Sequence, residues 1–404
     1  MNESQSIDAV QPPQSDSTRI DRTVLLLALL VATHFVVDLF ATVVVPLWPK
    51  LEDQYGWPGG DLYLYVVWSL TTSFCQLLFG GLSDRFALRW VVWVGPAMAI
   101  ICLNSLGLTE SPYVAAALLV CGGLGIAAFH PEAAATAGSC LGSRRSRAMS
   151  LFALGGYLGQ AIGPTYSGAL VEQTSLAGLV WGITWGVPCI LVIAVLLAGA
   201  PRPAAGSSGN GGHGQLALHA PLILLLLATG ATRVVMAMGA PLAIGYILTD
   251  EGVGTAAIGV LQSSFMAGIG VGGCVCAAAM RPRWERRVLW IAPLFGAVFV
   301  LMIPHCRGWL QFAPTFSAGL CTGVSMPVLI GYGQRLLPHA QRVASSLTMG
   351  VSWGLSAGVV AITMHYLKRA AAVEFSFTIF ALAAVISAAL APLLPKPEEE
   401  KSSA

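Results

Sequence analysis

Charge is what this chain has least of. Its 404 residues include 21 Lys and Arg and 19 Asp and Glu, so 10% are charged, where water-soluble domains carry roughly a quarter. That poverty, with 56% of residues apolar, excludes a water-soluble globular domain and reads as a membrane protein. There is no surplus of one sign either, since the formal net charge is +2. No run of basic residues alternates with aromatics, and the two facts together exclude a nucleic-acid partner. The partners that fit are the lipid bilayer, a small-molecule solute and protons.

Other absences narrow the function. The nine cysteines are odd in number, and most of them (Cys75, Cys102, Cys121, Cys189, Cys274, Cys276, Cys321) sit inside apolar runs as small hydrophobes, so no disulfide framework is expected. Cys274 and Cys276 are too close for zinc spacing and lack a second pair of ligands. No metal and no cofactor is expected. Residues 1–20 lack the apolar core of a signal peptide. There is no HExxH, no Gly-rich phosphate loop and no nucleophile with its base, which excludes an enzyme. The tails are too short for the soluble domain of a sensor.

What the chain does have is long apolar runs. Twelve stretches of roughly 20 residues are long enough to cross a bilayer as helices. Loops on the N-terminal side hold all but five of the 21 basic residues; Lys50, Arg307, Lys368 and Arg369 lie on the other side, and Arg233 lies inside a span. The positive-inside rule then puts both termini in the cytoplasm, in a cell's inner membrane. Residues 1–21 form a polar tail, 22–199 six helices, 200–217 a Gly/Ser-rich linker, 218–395 six more helices, and 396–404 a second tail. One offset relates the halves: Asp38 aligns with Arg233, Pro46 with Pro241, and Gly155, Gly159 and Gly163 with Gly350, Gly354 and Gly358. The predicted fold is an all-α membrane protein of twelve transmembrane helices in two pseudo-twofold-related six-helix bundles, with the solute site at mid-depth between them. A monomer is the expected state.

Between helices 2 and 3 the sequence reads GGLSDRFALR. Gly80, Asp84, Arg85 and Arg89 resemble the loop signature of the major facilitator superfamily, with Ala87 where the family usually has glycine. The resemblance implies that Asp84, Arg85 and Arg89 hold helix ends together and release them during the conformational cycle. In helix 5, Gly159, Gly163 and Pro164 form GxxxGP, which resembles a motif of the superfamily's antiporters, although small residues also let membrane helices approach closely. The arginine that many drug/proton antiporters carry in helix 4 is missing, the matching stretch being LLVCGGLG. FHPE in helix 4 with HFVVD in helix 1 resembles the fosmidomycin-resistance-type branch, a group of bacterial exporters.

Five ionisable residues lie in one slab far from either surface. At 1.5 Å per residue, His34 and Asp38 fall about 16 and 22 Å along helix 1, His130 and Glu132 about 18 and 15 Å from the same edge, and Arg233 about 21 Å from it. A charge at that depth costs about 2.5–3.5 kcal/mol, so the five should face one another or a wet cavity. Asp38 and Arg233 are expected to pair across the two halves, or to form a static pair that fixes packing. His34, Asp38, His130 and Glu132 are the candidate proton carriers, with Glu132 on a helix that Pro131 should kink and partly unwind. Arg233 is the candidate anion partner, and Gln160, Tyr157, Gln262 and Trp353 are candidate solute contacts, although packing is the commoner role for amides and aromatics. The leading reading is a proton-coupled antiporter exporting a small anionic or amphiphilic compound by alternating access. A proton symporter for an organic acid or sugar would use the same parts. A divalent-metal carrier would use the histidines and acids, and Arg233 would repel its ion.

Overall fold

In hydrocarbon every backbone polar group must be bonded within its own segment, so a long apolar run has one available structure, the helix. The computed structural model describes residues 17–56, 62–86, 88–141, 145–198, 220–336 and 347–395, and among these it is helical almost throughout. The first half contains α1 (Ser17–Ala41), α2 (Tyr63–Phe86), α3 (Val91–Asn104), α4 (Pro112–Ser139), α5 (Arg145–Gln173) and α6 (Trp181–Ala198). The second contains α7 (Ala220–Asp250), α8 (Thr255–Ala279), α9 (Pro282–Met302), α10 (Phe312–Leu336), α11 (Ser352–Arg369) and α12 (Ser376–Leu390). Ten of the twelve are long and apolar enough to cross a membrane. The other two are α3, only 14 residues long, and α5, which is diluted by glycine and polar side chains. The linker at 200–217, residues 1–16 of the first tail and the whole second tail lie outside the described residues, and residues 17–21 of the first tail belong to α1.

Local chemistry sets the ends. Ser111 caps α4, its hydroxyl accepting from the Val114 amide, and Pro112 takes the first helical position, where a missing N–H loses nothing. The same helix then passes through Pro131 without interruption to Ser139. The expected partial unwinding at Pro131 is therefore absent. Proline inside a membrane helix is tolerated where neighbouring helices take up the freed carbonyl, and α4 packs against both α2 and α3.

Large apolar side chains cover the outside: Leu224, Ile362 and Leu382 are more than half exposed, as a lipid-facing surface requires. Inside, α1 packs on α5, α8 on α10, and α12 on both α7 and α9. The two halves meet along α5 with α8 and α2 with α11. The aligned glycines of the two halves do different work. Gly155, Gly159 and Gly163 bring α5 against α1, whereas Gly350 and Gly354 face Ser73 and Phe74 of α2, in the other half.

Candidate functional site

α1 carries His34 and Asp38 one turn apart on a shared face, and α4 and α5 close over that face. His34 Nε2 lies 3.3 Å from Asp38 Oδ2. His130 Nε2, from α4, lies 3.2 Å from Asp38 Oδ1. Gln160, from α5, donates to Asp38 Oδ2 at 2.8 Å. The carboxylate is 3% exposed. Each imidazole is fixed by a backbone carbonyl on its far side: His34 Nδ1 is 2.8 Å from Phe152 O, and His130 Nδ1 is 2.8 Å from Ile126 O. The Phe152 ring stacks on His34 with centroids 4.1 Å apart. Three helices of one half thus hold a carboxylate between two oriented imidazoles.

Gly156 makes room for this cluster. A Cβ there would stand 2.6 Å from ring atoms of His34 and 2.7 Å from Asp38 Oδ2. Motif reading passed over Gly156 because it is outside the GxxxG spacing; the doubled glycine Gly155–Gly156 was the available signal. Gly159 and Gly163 line the same α1–α5 contact, against Phe35 O and against Leu39 O and Thr42. The Pro164 carbonyl meets α8 at Gly259.

The other candidates lie elsewhere. Arg233 makes no ion pair with Asp38, contrary to expectation. It is 2% exposed and directs its donors into its own half, Nε to Ser387 Oγ at 3.2 Å, Nη1 to Ser325 O at 3.3 Å and Nη2 to Leu289 O at 2.7 Å. Glu132 is also outside the cluster: it accepts from Ser83, near the end of α2. Gly80 in that helix faces Pro131 at 3.8 Å. The loop signature therefore touches α4 beside Glu132. The side chains of Asp84 and Arg85, and Ala87 entirely, lie outside the described residues, and Arg89 is exposed. In the second half, Glu285 pairs with Arg335.

Tyr157 packs against Gly270 and Gly273 of α8, on the seam between the halves. Gln262 is fully buried and donates to Pro241 O at 2.8 Å and to Val45 O at 3.4 Å, the latter in the other half. Trp353 is half-buried at the start of α11.

Two further carboxylates join the halves at the end away from the arginine-rich loops. Glu52, on the short helix Trp48–Tyr55, accepts from Tyr246 and from Lys368 at 2.5 Å, and Lys368 lies 4.2 Å from the Tyr246 ring centroid. Glu172, at the end of α5, accepts from the Ala256 amide at 2.8 Å in the first turn of α8. Thr165 donates to Ser263 Oγ at 2.8 Å one layer deeper. No sequence motif marks either Glu52 or Glu172. On the side with few charges, the acid Glu52 and the base Lys368 in different halves were the available signal.

Two helical halves, the first of them holding a buried titratable cluster, fit one class, the secondary membrane transporters. The chain belongs to the Major Facilitator Superfamily, whose family model matches residues 30–361. Among relatives, it is 21% identical over 361 residues to the fosmidomycin resistance protein of Escherichia coli (strain K12), covering 86% of this chain and 87% of that one. It is 23% identical over 340 residues to the uncharacterized MFS-type transporter YfnC of Bacillus subtilis (strain 168), covering 81% and 83%. Among solved structures it resembles a bacterial homologue of the human lysosomal transporter Spinster, in an inward-facing and unoccupied conformation, with TM-score 0.73 and 14% identity over 92% of this chain and 97% of that one. It also resembles the E. coli fucose:proton symporter, with TM-score 0.62 and 12% identity over 92% and 99%. These likenesses establish the twelve-helix, two-bundle fold.

Proposed function

We propose that this chain is a proton-coupled antiporter of the inner membrane, with both termini in the cytoplasm, that expels a small anionic or amphiphilic compound by alternating access. The observation that carries the reading is the Asp38 cluster. A buried carboxylate held between two imidazoles, His34 and His130 (3.3 and 3.2 Å), gathers groups able to exchange a proton among apolar helices, where ionisable residues mark ion pathways. Glu132 serves the conformational step through Ser83 and the α2 loop. Arg233 favours an anionic cargo: no carboxylate balances it among the described residues, and a buried charge acts over distance in a low-dielectric interior. Gln160, Tyr157, Gln262 and Trp353 complete the solute-responsive surface. The direction of transport is supported by the relative whose name records resistance to a compound.

The test is transport by purified protein in proteoliposomes with an imposed pH gradient, against a panel of anionic, cationic and neutral compounds. An anionic compound should accumulate against its gradient when protons flow the other way, and a protonophore should stop it. Accumulation in the same direction as the protons would replace antiport by symport. Uptake indifferent to the gradient would remove proton coupling.

A further inference from the structure

Proton carriage does not require both imidazoles of the Asp38 cluster to be held the same way round, yet they are. A carbonyl oxygen only accepts, so the contacts to Phe152 O and Ile126 O, both 2.8 Å, place the hydrogen on Nδ1 of His34 and of His130. Each neutral ring then presents its Nε2 lone pair. Those two lone pairs meet the two oxygens of one carboxylate, which Gln160 orients from behind. Such a convergence is repulsive until positive charge lies within it.

We infer that His34 Nε2, His130 Nε2 and the Asp38 carboxylate form a binding site for a divalent transition-metal ion, zinc(II) or a close relative. The inference shares residues with the coupling site proposed above but requires neither export nor proton coupling. Two imidazoles and one carboxylate suit zinc, cobalt or nickel, whereas magnesium and calcium take oxygen ligands. Bonds of about 2.0–2.2 Å to such an ion set its ligand atoms roughly 3–3.5 Å apart. Each imidazole Nε2 already stands at that spacing from one oxygen of the carboxylate, His34 at 3.3 Å from Oδ2 and His130 at 3.2 Å from Oδ1, and one ligand atom from each residue lies within 4.8 Å of the other two. The outer contacts fit as well, since a metal-bound histidine almost always donates its other N–H to a carbonyl or carboxylate. Three protein ligands leave a fourth position for water or a solute oxygen, the pattern of an open site. The charge that argued against a cation from sequence, Arg233, is bound to Ser387, Ser325 and Leu289 in the other half.

The test uses the full chain purified in detergent and freed of metal, titrated with zinc chloride by calorimetry, with X-ray absorption at the zinc edge on the loaded protein. The expected result is one saturable site of micromolar affinity or tighter, with two imidazole ligands in the absorption spectrum. Affinity should fall roughly tenfold or more in His34→Ala and His130→Ala, the scale on which even outer contacts of metal sites act. His130→Cys should restore binding by supplying a thiolate, which separates a lost ligand from a lost fold. No saturable binding would overturn the site, as would binding unchanged in all the variants, a sulfur-dominated spectrum in the unsubstituted protein, or a His130→Ala defect that His130→Cys leaves uncorrected. Transport enters none of these measurements, so a failure of the export reading and a failure of the metal site are told apart.

Discussion

Asp38 has three near neighbours, His34, His130 and Gln160, and this changes what its removal should do. Without an Asp38–Arg233 pair, the two residues belong to separate networks, and distant sites add within about 0.5 kcal/mol. The double variant Asp38→Asn with Arg233→Gln should therefore lose as much stability in chemical unfolding as the two single variants summed. Recovery in the double variant would restore the pair. Arg233→Gln alone leaves carbonyls of Ser325 and Leu289 short of a donor, a loss of about 1–3 kcal/mol for buried groups. At Gly156, a methyl group 2.6 Å from the His34 ring overpacks the site, so Gly156→Ala should cost about 1–3 kcal/mol and abolish gradient-driven transport. Gly81→Ala, with nothing within 4 Å of its added carbon, is the control and should behave as the unsubstituted protein does. Equal behaviour of the two alanine variants in thermal unfolding and transport would remove the close-packing argument.

At the scale of helices, Glu132 and Asp38 have separate partners, one bonded to Ser83 of α2 and one to the histidines. Glu132→Gln should slow turnover while keeping the coupling ratio of solute to protons, and Asp38→Asn should keep solute counterflow while losing driven accumulation. If Glu132→Gln instead lost coupling, the proton role would return to it. The number of helices was legible because long apolar runs mark most segments able to span, although α3 is short and α5 is diluted by glycine and polar side chains. Which faces meet was not legible. A soluble helix announces its buried side by an apolar stripe, but α1, α4 and α7 are apolar all round, so nothing in the pattern says where Asp38 or Arg233 points. Glycine spacing misled for the same reason: equal positions in α5 and α11 face different neighbours.

For the whole molecule, the polar contacts between halves among the described residues, at Glu52, Glu172, Thr165 and Gln262, all lie toward the end away from the arginine-rich loops. Among these contacts Glu52–Lys368 is a partly exposed ion pair, and such a pair would contribute about 0.2–1 kcal/mol to keeping that end closed. Lys368→Gln should therefore raise the labelling rate of a cysteine placed at Ser263 from the outside by up to about fivefold; an unchanged rate would show that Glu52 and Lys368 do not hold the closure. A last consequence concerns voltage. The antiport proposed above would load its proton at the Asp38 cluster of the first half, with Arg233 in the second. If a proton enters as a monoanion departs, two charges cross the membrane in the same electrical sense per cycle. Each charge is worth about 2.3 kcal/mol per 100 mV, so an interior-negative potential of that size would add about 4.6 kcal/mol to the driving force. Such a pump would keep running in a neutral medium on the membrane potential alone, and it would stall when valinomycin and potassium cancel that potential.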